Sequence, residues 1–463
     1  MYIMQCLEKE ISVKYDTADF LFRRKIQKKR SLNGKKFLLA AMCIMTLVST
    51  GCSDGTPEMW GMSEAWMAQT DDKEDTSFEK NRVDGETIAE MLSDIYDEAA
   101  GENTLGSPAI RKRMIARLGE RGYAAADSEN QIDMTGVEQV LAFCRAAEKK
   151  ENAQITIIAV TESGCRKFDL QTEDGNINIV REYYQYDREG RLQNRDTVSY
   201  PADFWEYTEE GYLIFAGSCF SEENFVLTLS DETEHTALRV LPLNETCREL
   251  NQKYILPVGY ERNNIFLTDW SEEEFGSLDF CDVFDCFYPI LNKQPNPYAL
   301  SDGAETEPVE IPEALFENVV TAHFKADSET LRKKTAYLPE NGAYEYSPRG
   351  FYEAEYPEIP YPEVVDYMEN ADGTITLIVN AVYPKENTSQ SFSHKTVIRP
   401  LEEGGFQYVS NEIISSKEDY DIWWHSDRMK GKKGEEAEAE SDLWMLPQAE
   451  TCSLTEACVN IGG

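Results

Sequence analysis

The sequence predicts an α+β protein: N-terminal helices, an antiparallel β meander, and a C-terminal helix-and-curled-sheet domain. Three observations carry that expectation. Apolar residues recur at helical spacing between Asp84 and Cys144, β-branched and aromatic runs divided by turn residues begin at Gln154, and a second helix-then-strand series follows Pro312. The formal net charge is −40, yet 41% of the 463 residues are hydrophobic, with 24 Tyr, 20 Phe and 7 Trp, enough to build a core.

The elements follow in order. Asp84 reads as the cap of a helix with Ile88, Met91, Leu92 and Ile95 on one face. Ser107-Pro108 opens a second, with Ile110, Met114 and Leu118 inward and Gly119 and Gly122 at its end. Thr135 with Glu138 reads as a capping box for a third, whose face is Val137, Val140, Leu141 and Cys144. Strands are expected over Ile155–Val160, Lys167–Leu170 and Ile177–Tyr186, then over Gly211–Phe220 and Phe225–Leu229; Asp187 to Gly190 forms a hairpin turn. A helix is expected over Glu245–Tyr254. The Trp270–Phe275 and Phe284–Tyr288 stretches read as packed helix ends or interaction surface.

After a Pro- and Gly-rich stretch comes the strongest helical stripe, with Leu315, Phe316, Val319, Val320, His323 and Phe324 on one side. Strands Thr374–Tyr383, Phe392–Arg399 and Phe406–Asn411 complete the series. The expected organisation is a signal at 1–51, a tether at 52–83, an α+β domain at 84–292, a linker at 293–312, a C-terminal α+β domain at 313–428 and a mobile tail at 429–463.

The N-terminus predicts location. A basic stretch, Arg23 to Arg30 with Lys35 and Lys36, precedes the apolar run Phe37 to Val48, then Ser49-Thr50-Gly51 and Cys52. The apolar run falls short of the about 20 residues a membrane-spanning helix needs, so it reads as a removable secretion signal. The alternative is a buried apolar helix that ends by chance in Gly-Cys. The segment resembles the lipobox of bacterial lipoproteins, with Ser49 where that family most often has Leu. The resemblance implies that Cys52 is lipidated and becomes the N-terminus, anchoring the chain to the cell membrane on its extracytoplasmic face.

Three further resemblances are weaker in content. Tyr184-Gln-Tyr-Asp-Arg-Glu-Gly-Arg-Leu192 resembles the YD repeat of secreted Rhs-type shell proteins, but a single copy implies a hairpin. The helix and curled sheet of the last third resemble the cystatin-like or NTF2-like cone of envelope accessory proteins. The lipobox, with Thr236-Ala-Leu-Arg-Val240 through Leu250-Asn-Gln-Lys-Tyr-Ile-Leu-Pro-Val-Gly-Tyr-Glu-Arg-Asn-Asn264, resembles uncharacterised lipoproteins of Gram-positive bacteria grouped as a family of unknown function. That resemblance implies location and no site residues.

Chemistry-bearing patterns are sparse. The acidic surface repels nucleic acid, so the expected partners are the membrane, through the N-terminal lipid, and an envelope protein or glycan. His235, His323, His394 and His425 show no metal-ligand spacing, and His323 reads as a core residue on an apolar face. Gly217-Ser218-Cys219 lacks the second glycine of a nucleophile elbow, and no phosphate loop or dinucleotide fingerprint occurs. No metal or cofactor is assigned, and no catalytic residue is named. Among the cysteines, Cys281/Cys286 and Cys452/Cys458 are the closest pairs, with free thiols the favoured reading.

The binding candidates are aromatic: Tyr352, Tyr356 and Tyr361 in a Tyr/Pro/Glu loop, and Trp423 and Trp424 before His425. Against each stands the reading that the ring folds back onto a sheet. The function expected from the sequence is that of a non-catalytic, membrane-anchored binding or assembly module. The alternative is an envelope hydrolase acting on glycan or peptide through an acid pair or a Cys/His pair drawing on Cys219 or Cys286.

Overall fold

Local capping decides where the first helices begin. In the computed structural model, which describes residues 83–219, 232–299, 308–349, 358–402, 404–416 and 422–428, α1 spans Gly85–Glu102 and the Asp84 carboxylate accepts the Thr87 N–H at 2.8 Å. Helix α2 spans Pro108–Glu120, with Ser107 Oγ accepting from the Ile110 amide. Strand β1, Ala124–Asp127, then leads to α3, Val137–Glu148. The expected capping box is absent there. Thr135 exchanges both backbone hydrogen bonds with Ala125, and its hydroxyl turns to the Ile115 and Ala125 carbonyls. Gly136, at φ 73°, takes the cap position, where a Cβ would lie 2.7 Å from Ala124 Cα.

Strands β2 (Ala153–Val160), β3 (Gly164–Glu173), β4 (Asn176–Tyr186) and β5 (Leu192–Pro201) form the expected antiparallel meander, and β1 adds to β2 in parallel. The sheet order β1-β2-β3-β4-β5 makes β3 the central strand. Alternation along these strands sorts the two faces. Ile158, Val160, Cys165 and Tyr184 meet α1 and α2, while Ile157, Ala159, Phe168 and Leu170 meet α3 on the other side. The hairpin between β4 and β5 is held by Asp187, whose carboxylate accepts the Glu189 and Arg191 amides. Strands β6 (Phe204–Tyr207), β7 (Tyr212–Cys219) and β8 (Glu232–Arg239) make a second antiparallel sheet. The expected strand Phe225–Leu229 lies outside the described residues.

Helix α4, Glu245–Leu250, continues as a π turn over Asn251–Ile255. The short strand β9 (Trp270–Ser271), helix α5 (Phe280–Asn292), strand β10 (Val309–Pro312), helices α6 (Glu313–Thr321) and α7 (Ser328–Lys334), and strands β11 (Tyr337–Leu338) and β12 (Ala343–Tyr346) follow. Strands β13 (Tyr361–Glu369), β14 (Ile375–Val382), β15 (Phe392–Pro400) and β16 (Phe406–Ser416) build an antiparallel sheet that β9 completes beyond β16. The whole is mixed α+β with open sheets. Its largest apolar core takes residues from Cys247 to Trp424, so α5 shares it with α6 and the β13–β16 sheet, and β10 forms within the stretch expected as a linker. Trp270, Phe275, Phe284 and Phe287 are buried in this core, so of the two readings packing holds and interaction surface does not. The signal, the tether up to residue 82 and the tail fall outside the described residues.

Candidate functional site

The aromatic candidates separate by burial. Tyr352 and Tyr356 lie outside the described residues. Tyr361 opens β13 half-buried, its hydroxyl accepting from Asn130 Nδ2 at 2.9 Å and donating to Tyr212 Oη at 3.4 Å. That pair belongs to a buried network in which Glu363 accepts from Tyr212 Oη at 2.8 Å and pairs with Arg239 at 2.6 Å. Burial pushes the Glu363 carboxyl above its usual range, against the pull of Arg239. The network ties β8 to β13 and presents no open group.

Trp424 is 1% exposed and packs against Tyr260 and Tyr383, with ring centroids 6.3 and 6.4 Å away. Trp423, its neighbour, is 43% exposed. The Trp423 ring lies 6.3 Å from Tyr383, and its indole N–H is donated to Glu386 Oε1 at 2.9 Å. Two contacts so constrain an otherwise exposed ring. Tyr383 donates its hydroxyl to the Glu358 carbonyl, and the Glu358 carboxylate pairs with Lys385 at 2.8 Å. Trp423, Tyr383, Glu386, Lys385 and Glu358 therefore form one aromatic and charged rim from three separate stretches of chain.

The segment carrying Trp423, Ile422–Arg428, is held from below by charge. Arg428 donates Nε to Asp282 Oδ1 at 3.0 Å and Nη1 to the Ser347 carbonyl at 2.6 Å; it also pairs with Asp285 and lies over the Tyr346 ring. Arg349 reaches Asp282 with Nη2 at 2.9 Å and donates Nη1 to the Ser426 carbonyl at 2.7 Å. Burial, then the Asp279 charge, pushes the Asp282 carboxyl up to about 6 against the two guanidiniums. Sequence reading missed this cluster, because partners 67 and 146 positions apart leave no local pattern. Its only trace is Asp282 and Asp285 at three-residue spacing on an otherwise apolar helix.

Among the described residues, most cysteines, two of the histidines and one lysine lie inside the fold. Cys144, Cys165, Cys247, Cys281 and Cys286 carry free thiols, and burial pushes the thiols of Cys144 and Cys165 up to about 12. Cys219 is buried. His394 is buried between Tyr260 Oη at 3.1 Å and Asn411 Oδ1 at 2.8 Å; burial lowers its pKa to about 3. His323, just past α6, lies between the Phe287 and Phe406 rings with Nδ1 on the Phe406 carbonyl, and burial lowers its pKa as well. Lys167, wholly buried, donates Nζ to the Val83 carbonyl at 2.9 Å and pairs with Asp169 and its cross-strand neighbour Glu182.

An open cleft of about 570 Å³ lies between Glu272–Phe275 and the Lys325–Lys334 stretch. Glu272 is engaged by Arg399 at 2.8 and 2.9 Å, and Lys334 by the Gly276 carbonyl at 2.6 Å. Among the described residues, no helix is long and apolar enough to cross a membrane, and no group of three His, Cys, Asp or Glu is placed to hold a metal ion. No curated protein and no solved structure matches the chain. Residues 79–428 match a family of unknown function, DUF6070, and the last matched residue is Arg428, whose guanidinium closes the buried acidic cluster; the chain belongs to that family.

Proposed function

We propose that this protein is a membrane-anchored, extracytoplasmic binding module, held by lipid at Cys52 and contacting a neutral glycan of the cell envelope through the Trp423 rim. The observation that supports this reading most is the exposed indole of Trp423, fixed by Glu386 and backed by Tyr383. A flat apolar face offers a stacking surface for a sugar ring, and the neighbouring carboxylates of Glu386 and Glu358 accept hydroxyl hydrogens. A ring already held in place loses little entropy on binding. The formal charge of −40 favours an uncharged polymer over a polyanionic one.

Two measurements test it. Labelling with an alkyne fatty acid in a bacterial host is expected for wild type and lost in Cys52→Ala; label retained in the mutant, or absent from both, would sink the anchor. Retention on insoluble envelope polysaccharide is expected to fall at least tenfold in Trp423→Ala with the fold unchanged by circular dichroism. Equal retention of the two proteins removes the rim from the proposal.

A further inference from the structure

The Ile422–Arg428 segment sits on the protein as a bound peptide does. Its buried side chains are Trp424, 1% exposed, Arg428, 7% exposed, and the His425 imidazole between them, while Ile422 packs against the core and Trp423 and Asp427 face solvent. Among the described residues, its backbone makes one internal turn bond, His425 N–H to the Ile422 carbonyl, and no backbone bond to a strand or helix. It is attached through side chains: the indole between Tyr260 and Tyr383, the guanidinium on Asp282 and Asp285, and Arg349 reaching the Ser426 carbonyl. Tryptophan and arginine are the residue types that dominate peptide and protein interfaces, each as an anchor in its own pocket. The buried Trp424 Nε1 has no hydrogen-bond partner among the described residues, so packing of the ring carries this anchor's contact there.

From this geometry we infer that the surface beneath the segment is a peptide-docking groove, filled by the chain's own C-terminal strap, which accepts in trans a linear segment carrying an aromatic side chain and, four residues later, an arginine. Charge complementarity specifies the second anchor. Asp279, Asp282 and Asp285 on and before α5 face the guanidinium from one side and Tyr346 from another, with Arg349 as the fixed counter-charge. The planar fork reaches Asp282, Asp285 and the Ser347 carbonyl while lying over the Tyr346 ring, a geometry that favours a guanidinium over a compact ammonium. The covalent link gives the strap a high effective concentration, so a trans segment enters only when the strap is weakened or outcompeted. Displacement would also carry Trp423 off Tyr383 and Glu386, coupling the groove to the rim.

The test uses full-length protein and a fluorescent synthetic peptide spanning residues 420–430. The double variant Trp424→Ala, Arg428→Ala is expected to bind it at least tenfold more tightly than wild type, whose groove is occupied. Adding Asp282→Asn and Asp285→Asn to that variant, or replacing the arginine of the peptide by lysine, is expected to abolish the gain. Equal binding to wild type and double variant, or binding indifferent to the arginine, overturns the inference. Should the double variant fail to fold, a protease site placed at 417–421 of otherwise native protein, cut after folding, gives the same reading. Exchange of the freed strap for labelled peptide supports a groove, and a cut strap that never exchanges shows a segment integral to the core and refutes it. Glycan retention at Trp423 is scored separately, so loss of either result leaves the other standing.

Discussion

Two buried charge clusters sit in different halves of the molecule and are assembled differently. In the first sheet a single cation, Lys167, is drawn between two anions, Asp169 on its own strand and Glu182 directly across in β4. In the C-terminal half two cations, Arg349 and Arg428, arrive from distant parts of the chain and share Asp282, and Arg428 pairs with Asp285 as well. The first cluster is embedded in a hydrogen-bonded ladder and has one point of failure. The second is redundant in charge and depends on it for position, since no ladder brings residue 428 to residue 282. The same physics therefore stabilises a finished sheet in one place and attaches an irregular segment in the other.

Substitutions can break that contrast. Lys167→Ala strands buried carboxylates without their cation and is expected to cost about 3–5 kcal/mol of global stability, read by urea unfolding. A loss below about 1 kcal/mol would show that the cluster is hydrated. Arg428→Ala leaves Arg349 on Asp282 and is expected to cost less, about 2–3 kcal/mol for its charged hydrogen bonds, with hydrogen exchange rising at the His425 amide and not in β3. Rising exchange throughout the sheets would make the strap part of the global core.

Proton linkage sharpens the comparison further. Asp282 holds its proton more tightly when folded than when unfolded, so its contribution favours folding below about pH 4 and declines as pH rises through about 6. The slope should flatten in Asp282→Asn, measured as unfolding midpoints between pH 4 and 7; an unchanged slope assigns the linkage elsewhere. The smallest effect is expected at the exposed end of the strap. Trp423→Ala should change stability by no more than about 0.5 kcal/mol, and a larger loss would place the ring among structural residues.

What the sequence made legible follows the distance over which each interaction acts. Asp84 and Ser107 cap helices from within four residues, and the meander from Ile155 to Tyr186 follows from alternation; both are local patterns. Thr135 misled because a backbone bridge to Ala125 outcompeted the cap. Strand β1 went unseen because Ala124-Ala-Ala-Asp127 has no β-branched residue, and its extended form is imposed by pairing with β2. Strand β13 was hidden by the Tyr/Pro/Glu run that leads into it. At the candidate rim, the aromatic types were readable, but which ring of the tryptophan pair faces solvent was not, since that depends on Tyr260 and Tyr383. The Arg428 cluster carried no local signal at all.

The contact between Lys167 and the Val83 carbonyl bears on mechanics. Strands at the margin of a sheet unzip one hydrogen bond at a time when pulled, whereas a strand flanked on both sides must be sheared against two neighbours at once. The chain enters the described fold at Val83, and Lys167 fastens that entrance to β3, the middle strand of five. A pull applied on the N-terminal side of Val83 therefore divides between the covalent path into α1 and a side-chain tether to the middle strand of the sheet.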